Sequence, residues 1–188
     1  MLSLNPFRWV RRILSLLVLV AAGYFIVTAV QVITASRAPS AVGVGRNEPA
    51  IVVVASSTDL KSRLNHASAL RSAHRAPRIV IVATTSREVS TARRYLATHG
   101  VPPASVSAVV ATDVPTGLAD VARTRHLRRA LVVADTWQTL WLTHVASAVG
   151  IRVVASPVSP HESFATTAGT VAGQAATVAW GRIVGFGP

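Results

Sequence analysis

Cysteine is absent from this chain. That excludes a disulfide framework, a thiolate nucleophile and any Cys-ligated metal site, and leaves the redox compartment open. Acidic residues are scarce as well: seven Asp and Glu stand against 19 Lys and Arg, a formal charge of +12. Lysine is nearly missing, since Lys61 is the only one beside 18 arginines, a bias that fits base composition in an Ala- and Val-rich chain. The usual chemical signatures are missing too. There is no G-x-G-x-x-G, no Walker A sequence, no G-x-S-x-G elbow, no H-x-x-x-H and no H-E-x-x-H. His66 and His74 have no carboxylate beside them, so no metal site is expected. The first strand candidate ends in Ala55-Ser56-Ser57 without a glycine, so no nucleotide cofactor is expected either.

What the chain does carry begins with its N-terminus. Arg8, Arg11 and Arg12 precede an uncharged run of 23 residues from Ile13 to Ala35. About 20 apolar residues suffice to cross a hydrocarbon core as a helix. A cleaved signal peptide has an apolar region of only about 7–15 residues. The run therefore reads as a retained single-pass signal anchor at 13–35. Three arginines before the span and one, Arg37, close behind it place residues 1–12 in the cytoplasm and the remainder outside it. "SRAPSAVGVGRNEP", with its Pro, Gly and Ser, reads as a linker over 36–49. A domain over 50–188 follows. The positive charge calls for an anionic partner. The outward orientation turns that expectation away from nucleic acid and towards anionic lipid, a lipid carrier or an envelope polymer.

From Ala50 onward the pattern alternates. Short β-branched runs at Ile51–Ala55, Arg78–Ala83, Val106–Val110, Ala130–Val133 and Arg152–Ala155 suit strands buried on both faces. Between them Leu60–Ala73, Thr85–His99 and Thr136–Ala148 have helical periods. Thr85 and Glu88 form a T-x-x-E capping box, with Gly100 at the stop. The fold class expected is α/β: a Rossmann-like three-layer sandwich with a mostly parallel sheet. Residues 164–183, rich in Ala, Thr and Gly, read as a packed C-terminal helix.

In such sheets the ligand crevice lies beyond the carboxyl ends of the strands. The residues there, Ser56, Ser57, Thr84, Thr85, Thr116, Asp135 and Thr136, with Arg63 at the start of the first domain helix, are the candidate ligand-binding groups. Asp135 and Glu88 are the candidate catalytic acids. Ser, Thr and Asp at these places are also ordinary helix caps. A Ser56–His161–Asp135 triad can be written on paper, but no elbow supports it. The arginine-rich stretches "KSRLNHASALRSAHRAPR" and "RTRHLRR" read first as solvated helix faces, and an arginine-rich surface near a bilayer would also attract anionic lipid.

The order of these features resembles the YdcF/SanA/ElyC family of bacterial envelope proteins, the vancomycin high temperature exclusion proteins. The likeness spans Ala50 to Pro160 and is most specific in "HRAPRIVIVATT" and "ARRYLATHGVP". It implies an extracytoplasmic Rossmann-like domain with a role in envelope integrity, through peptidoglycan or lipid-carrier metabolism. Glu88, Arg63 and Thr116 align with polar residues of the family pattern. Elsewhere the pattern is broken. Ala83-Thr84-Thr85 replaces Ser-Gly-Gly, Leu118 and Ala119 stand for Glu and Asn, Gln138 for a histidine, and Trp141 for an arginine. Losing an imidazole and a bidentate anion clamp removes the chemistry such a crevice needs. The expectation is a membrane-anchored, divergent, non-catalytic member that binds an envelope component or partner. The alternatives are an envelope enzyme acting on a phosphorylated or lipid-linked substrate, and a small-ligand sensor.

Overall fold

The computed structural model describes residues 6–36, 47–55, 59–158, 173, 175–182, 184 and 185. Ser56, Ser57 and His161, together with most of the expected linker and the first part of 164–183, lie outside that set.

The five apolar runs form one parallel sheet. Its strands are β1 (Ile51–Ala55), β2 (Ile79–Ala83), β3 (Val106–Val110), β4 (Arg129–Asp135) and β5 (Arg152–Val158), and their order is β3-β2-β1-β4-β5. Every residue of β1 and β2 is buried. That explains why these strands are apolar throughout rather than alternating. Parallel neighbours require crossovers, made by α2 (Leu60–Ser72), α3 (Ser86–Thr98), α4 (Val114–Thr124) and α5 (Thr139–Ala148). One face of the sheet sets Ile51, Val53 and Ile81 against Leu64 and Leu70 of α2 and Leu96 of α3. The other sets Val52, Val54 and Val82 against Leu118 and Val121 of α4 and Leu142 and Val145 of α5. Each fully buried Leu or Ile contributes about 1.5–3 kcal/mol relative to exposure, so the two half-cores hold the three layers together.

Local chemistry sets the boundaries. Thr85 accepts from the Glu88 N–H while Glu88 returns the bond, completing the expected capping box. Gly100 and Gly150 follow α3 and α5 at φ 76° and 80°, a left-handed conformation that favours glycine. Asp113 caps α4 by accepting from the Thr116 N–H. Gly117 lets α4 approach β2 closely, since a methyl group there would lie 2.5 Å from Val82 Cγ1. The helix expected from Thr136 begins instead as a 3₁₀ turn over Thr136–Gln138, and α5 proper starts at Thr139.

Ahead of the domain, α1 runs Pro6–Ser36. Its side chains from Ile13 to Val20 are exposed, Leu19 by 74 %. Farther along, α1 rests on the Thr136–Gln138 turn and on α5, with Thr28 fully buried. Residues 175–182 are helical, with Ala175 and Val178 buried, and Arg182 Nη2 donates to Gln31 Oε1 at 2.8 Å. Among the described residues no helix is long and apolar enough to cross a membrane.

Candidate functional site

The strand order places the topological switch between β1 and β4, where neighbouring crossovers leave on opposite faces of the sheet. An α/β sheet opens its ligand crevice there. Here the place is occupied by the protein's own side chains. Asp135 ends β4, and Arg63 lies in the first turn of α2, above the end of β1. The guanidinium makes a bidentate pair, Nε to Oδ1 and Nη2 to Oδ2, each at 2.9 Å. Its third nitrogen, Nη1, donates to the Val54 carbonyl at 2.5 Å. Both side chains are buried, Arg63 fully and Asp135 to within 3 %. Removing such charges from water is costly, and paired, well-aligned hydrogen bonds are what offset that cost.

One turn along α2, on the same face as Arg63, His66 Nε2 lies 2.7 Å from Ser156 Oγ. Burial pushes the His66 imidazole below its ordinary value, favouring the neutral ring. A neutral imidazole beside a hydroxyl has the form of a base and its nucleophile. Ser156, however, lies within β5, paired in register with Val133 and only 1 % exposed. Asp135, on the adjoining strand, gives both of its oxygens to Arg63.

The remaining candidates are spread over separate strand ends. At β2, Glu88 Oε2 accepts from the Thr84 N–H, the Thr84 hydroxyl and the Thr85 N–H, so this carboxylate is committed to holding the helix start. At β3, Thr116 is half-buried and its N–H serves Asp113. That backbone hydrogen bond from Thr116 holds the Asp113 carboxyl below its ordinary value. Thr136 is half-buried beside Trp137, which is 5 % exposed beneath α1. Trp141 packs against the α4–α5 face.

Of the residues singled out from sequence, the structure therefore joins Arg63 with Asp135, and Thr84 and Thr85 with Glu88. It leaves Thr116 apart. Ser56 and Ser57 are outside the described residues. Sequence reading missed the His66–Ser156 pair, although the three-residue spacing from Arg63 to His66 on one helix was an available signal. Among the described residues, no group of three or more His, Asp and Glu lies together as a metal ion would require.

Compared with known proteins, the chain matches no family model and no curated sequence.

Proposed function

We propose that this chain is a single-pass membrane protein whose extracytoplasmic α/β domain binds an envelope component or partner and does not catalyse a reaction at its sheet crevice. In this reading it is a divergent relative of the YdcF/SanA/ElyC envelope proteins, serving envelope integrity in connection with peptidoglycan or a lipid carrier. The observation that carries the proposal is the bidentate Arg63–Asp135 pair at the switch point. A carboxylate held on both oxygens by a buried guanidinium is neither a free base nor an open anion site. Gln138 and Trp141, where the resemblance would place a histidine and an arginine, support the same view. The anchor is supported by the uncharged run from Ile13 to Ala35 and by the exposed leucines and valines between Leu14 and Val20, which water would not favour, while farther along the same helix Thr28 and Gln31 pack on the domain.

The test replaces the pair with apolar side chains of similar size, Arg63→Met with Asp135→Leu. A deletion strain with an envelope phenotype should be complemented by this variant as by the wild type. Failure to complement at unchanged abundance and Tm would refute the binding reading. Reporter fusions after Arg182 should be active only outside the cytoplasm, and cytoplasmic activity would reverse the orientation.

A second reading is favoured by one contact, His66 to Ser156. It is a hydrolase for phosphorylated or lipid-linked substrates that opens to expose Ser156. Ser156→Ala should then abolish complementation while leaving the fold intact.

A further inference from the structure

A basic concavity lies at the other end of the sheet. It has a volume of about 450 Å³ and is formed where β1, β2, β3 and β4 begin, and Arg78, Ser107, Arg125, His126, Arg128 and Arg129 line it. The arginines come from separate segments. Arg78 precedes β2, Arg125 is the C-cap of α4, Arg128 precedes β4 and Arg129 is its first residue. Of these, only Arg129 has an acidic partner, the buried Glu48, at 2.6 Å. Among the described residues, no carboxylate pairs with Arg78, Arg125 or Arg128. Arg125 complements the negative end of α4, and Arg128, whose Nη1 would lie 4.0 Å from a methyl group at Gly150, sits at the end of α5. Arg78 stands at a strand start, where no helix dipole calls for a cation.

Like charges gathered round one concavity repel each other and are stabilised by an anion between them. Guanidinium groups match the paired oxygens of a phosphate in geometry as well as in charge. Pro49 also lines the concavity. Only residues 37–46 separate α1 from the described segment that contains Pro49, a reach of at most about 40 Å.

We propose that this concavity is a binding site for a phosphate-bearing anion, held chiefly by Arg78, Arg125 and Arg128. It deepens the binding function proposed above and rests on it only for the nearness of a membrane. The phosphate is supplied either by an anionic lipid headgroup or by a soluble phosphate group.

The test uses the full chain in nanodiscs of neutral phosphatidylcholine, with phenylglyoxal modification of each arginine followed by mass spectrometry. Two probes are compared: inorganic pyrophosphate in solution, and nanodiscs that contain phosphatidylglycerol. Charge-assisted bonds of this kind predict protection of Arg78, Arg125 and Arg128 by about tenfold or more, with exposed Arg87 protected less than about twofold. Protection by pyrophosphate assigns the site to a soluble phosphate group. Protection by the anionic nanodiscs alone assigns it to a headgroup.

Arg78→Ala with Arg128→Ala should weaken pyrophosphate or anionic-lipid binding by about tenfold or more. Lys61→Ala with Arg87→Ala, an equal loss of charge on exposed helix positions, should change it less than about twofold. Equal weakening by both pairs, or no protection in either arm, would overturn the proposal. The wild-type protection pattern needs no variant, so a folding defect cannot decide the matter. Failure here with intact complementation by Arg63→Met/Asp135→Leu would leave the proposed function standing.

Discussion

The two ends of one parallel sheet make opposite use of arginine. At the carboxyl end Arg63 is fully buried, and its charge is cancelled by Asp135 and shared with the Val54 carbonyl. At the amino end Arg78, Arg125 and Arg128 are exposed around an open concavity, and among the described residues no carboxylate forms an ion pair with them. The difference is one of hydration. A buried guanidinium must find all its partners inside the protein, whereas an exposed one keeps water and can exchange it for a ligand. Among the described residues, the switch point at the end that α/β architecture reserves for chemistry is thus filled by the Arg63–Asp135 pair, whereas the opposite end carries an open concavity.

Breaking the buried pair tests that contrast most severely. Arg63→Ala removes the guanidinium from which both Asp135 oxygens accept, and should cost about 3–5 kcal/mol in urea unfolding. Arg63→Met with Asp135→Leu should recover most of that loss. A cost below about 1 kcal/mol for Arg63→Ala would mean that water reaches the pair, against the full burial of Arg63. Arg129→Ala strands the buried Glu48 carboxylate, although Arg129 itself is 41 % exposed. The expected loss is about 1–3 kcal/mol. Thr85→Ala removes the α3 cap, and a loss of about 1 kcal/mol without any effect on ligand binding would mark it as structural. Arg78→Ala and Arg128→Ala should each change stability by less than about 0.5 kcal/mol, as exposed substitutions do. A larger loss would place these arginines in the fold rather than at a site.

The smallest expected effect is on pH dependence. His66 is shifted down by burial. His144 is shifted down by burial and then by the charge of Arg182. Below the ordinary histidine value of 6.5 the unfolded chain therefore binds more protons than the folded one. Stability is full above that value and declines as the pH falls through it. Denaturation midpoints measured on either side of pH 6.5 should show the decline, and His66→Gln should flatten it.

The layers were legible in the sequence because each strand is a short, wholly apolar, β-branched run and α3 carries its own cap and stop signals. The ends of β4 and β5 were not. Asp135 was expected just beyond its strand, and Ser156-Pro157 just beyond β5, because polar residues ordinarily mark a strand's end. In the structure both strands continue through them, since Arg63 and His66 supply hydrogen-bond partners from α2. That information lies 72 and 90 residues away, out of reach of any local pattern. The amino-end concavity was hidden for the same reason. Its arginines belong to segments that read, one by one, as solvated surface, and only the sheet order gathers them.

The contact between Gln31 and Arg182 spans 151 residues. It joins a helix that precedes all five strands in the chain to one that follows them. Residues 175–182 must therefore arrive before that contact, or the burial of Ala175 and Val178, can form. Contacts of such sequence separation form slowly, so this last helical packing is expected to form later than the local strand–helix contacts. A nascent chain paused before residue 173 would lack the helix that buries Ala175 and Val178 and would present the surface it covers to any chaperone or protease nearby.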